Sequence, residues 1–181
     1  DFIKIDIKKS HIAYLELNNC PVNALSLDFT EQLIDCIYSL DKNIRVLILK
    51  SSIKGFCAGA DLKERSKMNN SQTLEIVKQY NKLFELIQNI HCPVIARIHG
   101  FALGGGLELA LACDFRFADS EAILGFPETN IGVIPGAGGT QRLPQIIGLS
   151  NAKKWIFTAD KFTAKQAHTD GVLDKVFNET S

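Results

Sequence analysis

The sequence has no excess of charge of either sign and no long apolar run. Its 181 residues include 20 basic and 20 acidic side chains, so the formal net charge is zero. Such a chain lacks the net charge on which bulk attraction to DNA or to an acidic membrane depends. No stretch of about 18 apolar residues occurs, so these residues contain no membrane-spanning helix. Hydrophobic residues make up 46% of the chain, which is typical of a folded domain and excludes a disordered or collagen-like chain.

Disulfide frameworks and several common catalytic motifs are also absent. The five cysteines form no Cys-x-x-Cys pair and their number is odd, so we interpret them as reduced core thiols in a reducing compartment. The sequence has no phosphate-binding Gly-x-x-x-x-Gly-Lys-Ser/Thr loop, no His-Glu-x-x-His zinc helix and no Gly-x-Ser-x-Gly elbow. The four histidines are scattered without metal-ligand spacing, and we predict no metal site.

Hydrophobic periodicity predicts short strands alternating with helices. Residues 2–7 and 11–17 alternate apolar with polar side chains and predict a β-hairpin. Apolar residues at helical spacing predict helices that include residues 27–40 and 71–89. Further helices are predicted over residues 141–147, 151–158 and 163–170, and loops over residues 100–106 and 127–139.

Two strand–loop–helix units have a similar design. They cover residues 46–63 and 94–112, and in each a small-residue loop joins a short apolar strand to a helix. Such units can stack into a spiral. Because no linker or low-complexity tract interrupts the alternation, we predict an α/β fold in a single domain covering residues 1–181.

Glu108 is the most unusual residue of the sequence because its surroundings are apolar. Residues 103–113 read LGGGLELALAC, and a helix of this composition is buried on all sides. A buried, unpaired carboxylate costs several kcal/mol or takes up a proton at a higher pH than usual. Either Glu108 satisfies free backbone donors in its own first helical turn, or it serves catalysis. The three glycines before it favour catalysis, because they let a ligand approach the backbone.

Two glycine-containing turns each follow a strand and open a helix. They are GFCAGAD at residues 55–61 and GFALGGG at residues 100–106. Their small side chains leave backbone N–H groups accessible, Gly105 at a helix start included, and two such groups are what an oxyanion hole requires. Glu128 gains a catalytic interpretation only if it faces Glu108, because neighbouring carboxyls can divide acid and base roles.

Three longer motifs contain these residues in a fixed order. They are FCAGADLKE at residues 56–64, GFALGGGLELA at 100–110 and PETNIGVIPGAGGTQRL at 127–143. Together they resemble the enoyl-CoA hydratase (crotonase) superfamily, and the match in order and spacing extends from near Asp1 to near Ser181. Residues 56–68 are especially similar to the AU-binding 3-methylglutaconyl-CoA hydratase branch. The resemblance implies a crotonase-like spiral of repeated ββα units that binds an acyl-CoA thioester.

The resemblance also implies a role for each matching residue. The thioester carbonyl would accept hydrogen bonds from the backbone amides of Ala60 and Gly105. Glu108 and Glu128 would hold the water that adds across the C2–C3 double bond, and the backbone of Gly136 would help to place it. The edge that contacts adenine and pantetheine would include Ala58, Asp61, Leu62 and Lys63. No metal or redox cofactor is implied, because coenzyme A is part of the substrate.

Assembly, location and RNA binding are further expectations from the resemblance. Family members continue into C-terminal helices that close the acyl pocket and build a trimer, so we expect that region to be missing here and the full-length protein to be a homotrimer or hexamer. The family likeness implies a mitochondrial protein, with the cytoplasm as the alternative. The RNA-binding branch uses a lysine-rich helix, whereas residues 27–40 carry Asp28, Glu31 and Asp35 without Lys or Arg. We therefore expect no RNA binding by that route and no membrane association.

Three functions remain open at the level of sequence. An enoyl-CoA hydratase-type lyase is favoured because both glutamates are present, whereas isomerases and decarboxylases of this fold commonly keep one. A non-catalytic acyl-CoA- or RNA-binding protein is the first alternative. The second alternative is an acyl-CoA isomerase or hydrolase that uses the same oxyanion hole.

Overall fold

The chain folds into alternating strands and helices, as the α/β prediction requires. The computed structural model describes residues 2–178. The strands are β1 (Ile3–Ile7), β2 (Ile12–Leu17), β3 (Val46–Ser51), β4 (Val94–Ile98), β5 (Phe101–Leu103), β6 (Phe115–Asp119), β7 (Ile123–Gly125), β8 (Lys161–Thr163) and β9 (Lys175–Phe177). The α-helices are α1 (Leu27–Tyr38), α2 (Leu62–Arg65), α3 (Asn70–Gln88), α4 (Gly105–Leu111), α5 (Gly139–Phe157) and α6 (Ala164–Thr169), and Pro127–Ile131 forms a 3₁₀-helix. The single domain stays a prediction, and Asp1 and residues 179–181 lie outside the described residues.

A six-stranded sheet forms the base of the fold. Its order is β1-β2-β3-β4-β6-β9, in which β1 and β2 pair antiparallel and the following neighbours pair parallel. Leu15 of β2 lies opposite Leu49 of β3, which lies opposite Ala96 of β4. All three side chains are buried, because the parallel part of such a sheet is covered by its crossover helices. The predicted hairpin at the start of the chain is confirmed.

A smaller sheet of order β5-β7-β8 stacks the repeated units on one another. β5 and β7 pair parallel, and a parallel bridge joins Cys57 to Ala102 of β5. In the unit of residues 94–112, β4 joins the large sheet, β5 joins the small sheet and α4 follows; in the unit of residues 46–63, β3 joins the large sheet, Cys57 contributes only the bridge to β5, and α2 follows. This is the ββα spiral that the resemblance implies.

Polar side chains cap the helices near the predicted starts. Ser26 begins α1, and Asp61 begins α2 by accepting two backbone N–H bonds. Asn69 and Gln72 form a reciprocal capping box at α3, and one such cap is typically worth about 1 kcal/mol. The Glu64 carboxylate, in the first turn of α2, accepts the backbone N–H of Leu27 at the start of α1, at 3.1 Å.

The structure contains two short strands that the sequence did not predict. The predicted turn at residues 100–106 contains strand β5, and β8 was not predicted. Both strands are three residues long and exist because β7 supplies a hydrogen-bonding partner on each side, so no local alternation marks them. Both helices predicted within residues 141–158 are confirmed: they lie on either side of Gly148, whose non-helical backbone (φ +76°, ψ 159°) kinks α5.

Three of the five cysteines are buried in the core. Cys57, Cys92 and Cys113 are buried and free, as predicted for reduced core thiols. Cys36 is half-buried and Cys20 is exposed, so the core interpretation is wrong for Cys20. Cys20 precedes a proline in the turn after β2, where the chain runs over the surface.

Candidate active site

A single cavity brings together most of the residues singled out in the sequence. It has a volume of about 310 Å³. Its walls are the loop at residues 58–60, the start of α4, the 3₁₀-helix, and the loop from residue 131 to 137. Ala60, Gly105, Glu108, Glu128 and Gly136 all line it, so the structure places the five central predicted residues around one space.

The backbone amides of Ala60 and Gly105 lie next to each other at the cavity wall. A Cβ built on Gly105 would lie 3.5 Å from the Ala60 nitrogen. Neither amide N–H donates to an acceptor within residues 2–178. Ala60 has this freedom because its neighbours make the bridge to Leu25: the Leu25 N–H donates to Gly59 O at 2.8 Å, and the Asp61 N–H donates to Leu25 O at 3.4 Å.

Glycine at residue 59 is required for this close approach. Its φ is +94°, and a Cβ there would lie 2.8 Å from the Leu103 carbonyl oxygen and 3.0 Å from the Gly105 nitrogen. A larger residue would therefore strain the backbone and push the two turns apart. Glycine at residue 59 therefore allows the turn that contains Ala60 to pack directly against the start of α4.

Glu108 is buried and held by backbone donors from a distant part of the chain. Its side chain projects from α4, and the residue is 3% exposed. Oε1 accepts hydrogen bonds from the N–H groups of Ala137 and Gly139, at 2.8 Å each. Its side chain makes no capping bond at the start of its own helix, so the capping interpretation is wrong. Burial raises the pKa of Glu108, and the two amides and Arg142 oppose that rise.

Glu128 has a less satisfied environment than Glu108. It lies on the 3₁₀-helix, and its Oε2 is buried without a hydrogen-bond partner among the described residues. Burial raises the pKa of Glu128 to about 7, its own backbone N–H lowers it, and the negative charge of Glu108 raises it further. Near neutral pH this carboxyl therefore exists in both protonation states.

Two further glycines leave room for the carboxyl groups. A Cβ on Gly104 would lie 2.9 Å from Glu128 Oε1, and a Cβ on Gly139 would lie 3.0 Å from Glu108 Oε1. Gly104 also has a φ of +53°, which side chains rarely tolerate. The glycines of the second and third motifs are thus needed for the approach of the acids as well as for tight turns.

Gly136 lies at the cavity wall but does not hold Glu108. Its carbonyl accepts a hydrogen bond from the side-chain amide of Asn81 at 3.3 Å. The residues that donate to Glu108 are Ala137 and Gly139, one and three positions later. The sequence contains no local signal for this, because the loop and α4 are about thirty residues apart and meet only in the folded chain.

Only part of the predicted substrate-binding edge lines the cavity. Ala58 and Leu62 line the cavity, and Leu62 is 58% exposed at its mouth. The Asp61 side chain is used to cap α2, and Lys63 is exposed outside the cavity wall. The structure therefore brings Ala58 and Leu62 to the cavity, whereas the side chains of Asp61 and Lys63 do not line it.

Tyr80 and Arg142 support the site and were missed in the sequence. The Tyr80 hydroxyl donates to the Leu25 carbonyl, and Tyr80 lines the cavity. Arg142 donates from Nη1 to Ala137 O at 2.9 Å. Tyr80 fits the apolar face of α3, and Arg142 belongs to the third motif, so neither stands out locally.

Residues 2–178 contain neither a candidate metal cluster nor a candidate membrane-spanning helix. Across residues 2–178, no group of three or more His, Cys, Asp and Glu side chains is placed to hold a metal ion. The same residues form no helix with the length and apolarity needed to cross a bilayer.

Comparison with known proteins shows the family. A family model described as "Enoyl-CoA hydratase/isomerase" matches residues 7–181. The fold matches the crystal structure of an enoyl-CoA hydratase from Bacillus anthracis with a TM-score of 0.95 and 42% identity, covering 98% of this chain and 70% of that chain. The chain therefore belongs to the enoyl-CoA hydratase/isomerase family and has the crotonase fold.

Curated relatives narrow the resemblance to a branch. Mouse "Methylglutaconyl-CoA hydratase, mitochondrial" is 46% identical over 160 residues, covering 87% of this chain and 51% of that protein. Human "Enoyl-CoA hydratase domain-containing protein 2, mitochondrial" is 46% identical over 155 residues, covering 84% of this chain and 53% of that protein. This chain lies close to the methylglutaconyl-CoA hydratase branch, as its motifs predicted, and it spans about half the length of these two relatives.

Proposed function

We propose that this protein is an enoyl-CoA hydratase, a lyase that adds water across the C2–C3 double bond of a 2-enoyl-CoA thioester. One observation carries the proposal: Glu108, Glu128 and the free amides of Ala60 and Gly105 face the same cavity. Water addition needs a base, an acid and a site for developing negative charge, and the cavity offers a candidate for each.

The two amides form the proposed oxyanion hole. When hydroxide oxygen bonds to C3, the electron pair of the double bond moves toward the thioester oxygen and makes an enolate. Two fixed N–H groups stabilise that oxygen, and one such donor is typically worth about 2.7–4 kcal/mol. Ala60 and Gly105 suit this role because neither N–H donates a hydrogen bond to a protein acceptor in the described chain.

The different environments of the carboxyls suggest different roles. In the proposed reaction Glu108, with two amide donors favouring its ionised form, takes a proton from water while the water oxygen bonds to C3. Glu128, whose pKa is raised to about 7, gives its proton to C2 as the enolate electrons return. The product gains one water, and a proton passes from Glu108 back to Glu128 to restore the starting state.

The remaining site residues support binding in this proposal. The thioester would enter past Ala58 and Leu62, which line the cavity. Asp61 and Lys63 would contribute mainly through their backbone and their place at the mouth, and Gly136 would help to place the water. The reaction needs no metal or redox cofactor, since coenzyme A is part of the substrate.

Assembly and location are also part of the proposal. We propose a homotrimer or hexamer for the full-length protein, as the family resemblance implies. We propose a mitochondrial location, because two curated relatives are named as mitochondrial. No RNA binding through α1 is proposed, because its acidic side chains disfavour phosphate.

Hydration of crotonyl-CoA by the full-length protein tests the activity. We expect loss of the conjugated enoyl thioester and a product heavier by one water in the mass spectrum. Glu108→Gln and Glu128→Gln should each reduce kcat by about 10²–10⁴-fold, the usual contribution of a positioned acid or base. Glu31→Gln, on the exposed face of α1, is the matched control, and unchanged turnover in both site variants would remove the proposal.

An isomerase is the second candidate function because the matching family model covers both activities. Double-bond migration would leave the mass of the product unchanged, so the same mass spectrum separates it from hydration. A product split into free acid and coenzyme A would indicate a hydrolase. Absence of any turnover with tight acyl-CoA or AU-rich RNA binding would instead support the non-catalytic alternative.

A further inference from the structure

Arg142 bends back from α5 over the loop that holds Glu108. Its Nη1 donates to Ala137 O at 2.9 Å, and its Nε donates to Gln88 Oε1 at 3.2 Å, where α3 ends. The guanidinium therefore joins the loop to a separate helix. Arginine suits this position because its planar fork can donate in two directions at once.

The loop is shaped to receive this guanidinium. Gly138 has a φ of +99°, and a Cβ on it would lie 2.1 Å from Arg142 Nη1. The positive φ favours glycine at this position, and a side chain there would displace the guanidinium from the loop. Its two neighbours, Ala137 and Gly139, are the residues whose N–H groups donate to Glu108 Oε1.

One residue connects the two sets of bonds. The carbonyl of Ala137 accepts from Arg142 at 2.9 Å, and its N–H donates to Glu108 at 2.8 Å. We propose that Arg142 is a positioning residue for Glu108: its guanidinium fixes residues 137–139 so that two backbone N–H groups stay aimed at the carboxylate. This positioning is independent of the reaction, and only its effect on turnover rests on the proposed function.

Few charged groups act on this pair. Within the described chain, Arg142 on α5 is the positive group that influences Glu108, and Glu128 on the 3₁₀-helix is the negative group coupled to it. Burial lowers the pKa of Arg142, and the negative charges of Glu108 and of Glu85 on α3 oppose that fall. Loss of Arg142 removes a nearby positive charge and loosens the two amide donors, and both changes favour the protonated form of Glu108.

Carbon-13 NMR titration of the Glu108 carboxyl, assigned with Glu108→Gln, measures the effect directly. In Arg142→Gln the titration midpoint should rise by about 1 pH unit, at the lower end of what a nearby opposite charge contributes. The amide shifts of Ala137 and Gly139, which donate to Glu108 Oε1, should follow this titration in the unchanged protein and should no longer follow it in Arg142→Gln. Arg45→Gln, an exposed arginine before β3, should leave both readouts unchanged.

Arg142→Lys separates positioning from charge. Lysine keeps the positive charge but lacks the fork that reaches Ala137 and Gln88 together. A midpoint between those of the unchanged protein and Arg142→Gln, or equal to the latter, supports positioning. The inference is overturned if Arg142→Gln leaves the midpoint unchanged, or if Arg142→Lys behaves like the unchanged protein.

Turnover gives a second readout when hydration is present. Both variants should lower kcat more than they raise KM, because the affected group acts in the chemical step. If the unchanged protein hydrates no enoyl-CoA, the proposed function fails, while the titration of Glu108 still decides the role of Arg142.

Discussion

Glu108 and Glu128 line the same cavity but differ in their hydrogen-bond partners. One oxygen of Glu108 accepts two backbone N–H bonds of 2.8 Å, whereas Oε2 of Glu128 is buried without a partner in the described chain. Burial raises the pKa of both carboxyls, but the two amides oppose that rise at Glu108, whereas at Glu128 the pKa reaches about 7. A pair arranged in this way can divide base and acid roles near neutral pH.

Hydration should have a falling limb near pH 7. Glu128 loses its proton as the pH rises through its pKa of about 7, and the proposed acid is then lost. At lower pH a rising limb should follow the ionisation of Glu108. The dependence of kcat on pH for crotonyl-CoA measures both limbs. A rate that increased steadily from pH 7 to alkaline values would contradict the role of Glu128 as the acid.

Glu128→Gln should stabilise the protein above neutral pH. The folded-state pKa of Glu128 is about 7, above the ordinary value of 4.5, so the folded protein binds a proton that the unfolded chain has released. The free energy of unfolding therefore falls as the pH rises between these values. At pH 8 the variant should be more stable by about 1–2 kcal/mol, after allowance for partial solvation of the carboxyl.

Denaturant unfolding at pH 4 and pH 8 measures this gain. It should be largely lost at pH 4, where the carboxyl is protonated in both states. Glu31→Gln, which changes an exposed acid, should show no such dependence. An equal effect of Glu128→Gln at both pH values would indicate a packing change instead of a titration.

Gly104→Ala should disturb Glu128 as well as the backbone. The new Cβ would lie 2.9 Å from Glu128 Oε1, and the φ of +53° adds strain. We expect a loss of about 1–3 kcal/mol in stability from strain and a fall in kcat of about 10²-fold from misplacement of the acid. Chemical denaturation and crotonyl-CoA kinetics measure the two effects.

Gly132→Ala is a matched control for that strain. Gly132 also has a positive φ, of +74°, but nothing lies within 4 Å of a Cβ there. It should lose stability to a similar extent while keeping most of its kcat. If both variants lost activity equally, contact with Glu128 would not be the cause.

Tyr80→Phe should weaken the support of the Ala60 amide. The hydroxyl donates to the Leu25 carbonyl, and Leu25 is bridged to the segment that contains Ala60. We expect a loss of about 1 kcal/mol in stability, as for a typical buried hydrogen bond, together with a lower kcat. Thermal unfolding and kinetics check this, and Tyr38→Phe, at a 63% exposed residue, should change neither quantity.

Local patterns predicted much of the fold. The hairpin, α1 and α3 follow from alternation, amphipathic spacing and caps such as Ser26, which are properties of neighbouring residues. The strands β5 and β8 could not be found in this way. Each has three residues, and each depends on β7, which lies at least twenty residues from either in sequence.

The sequence by itself determined the class of the protein and its candidate acids. An acidic residue within an apolar helix already marks Glu108, because burial of a charge requires a reason. Only the tertiary structure decided which atoms satisfy that charge: Ala137 and Gly139 donate to it, and Arg142 fixes their loop. Glycine spacing indicates that a backbone can approach a ligand, but the direction of an N–H group depends on what its neighbours bind. That direction is a property of the folded chain, since Leu25 bridges to the residues on each side of Ala60 and leaves its amide free.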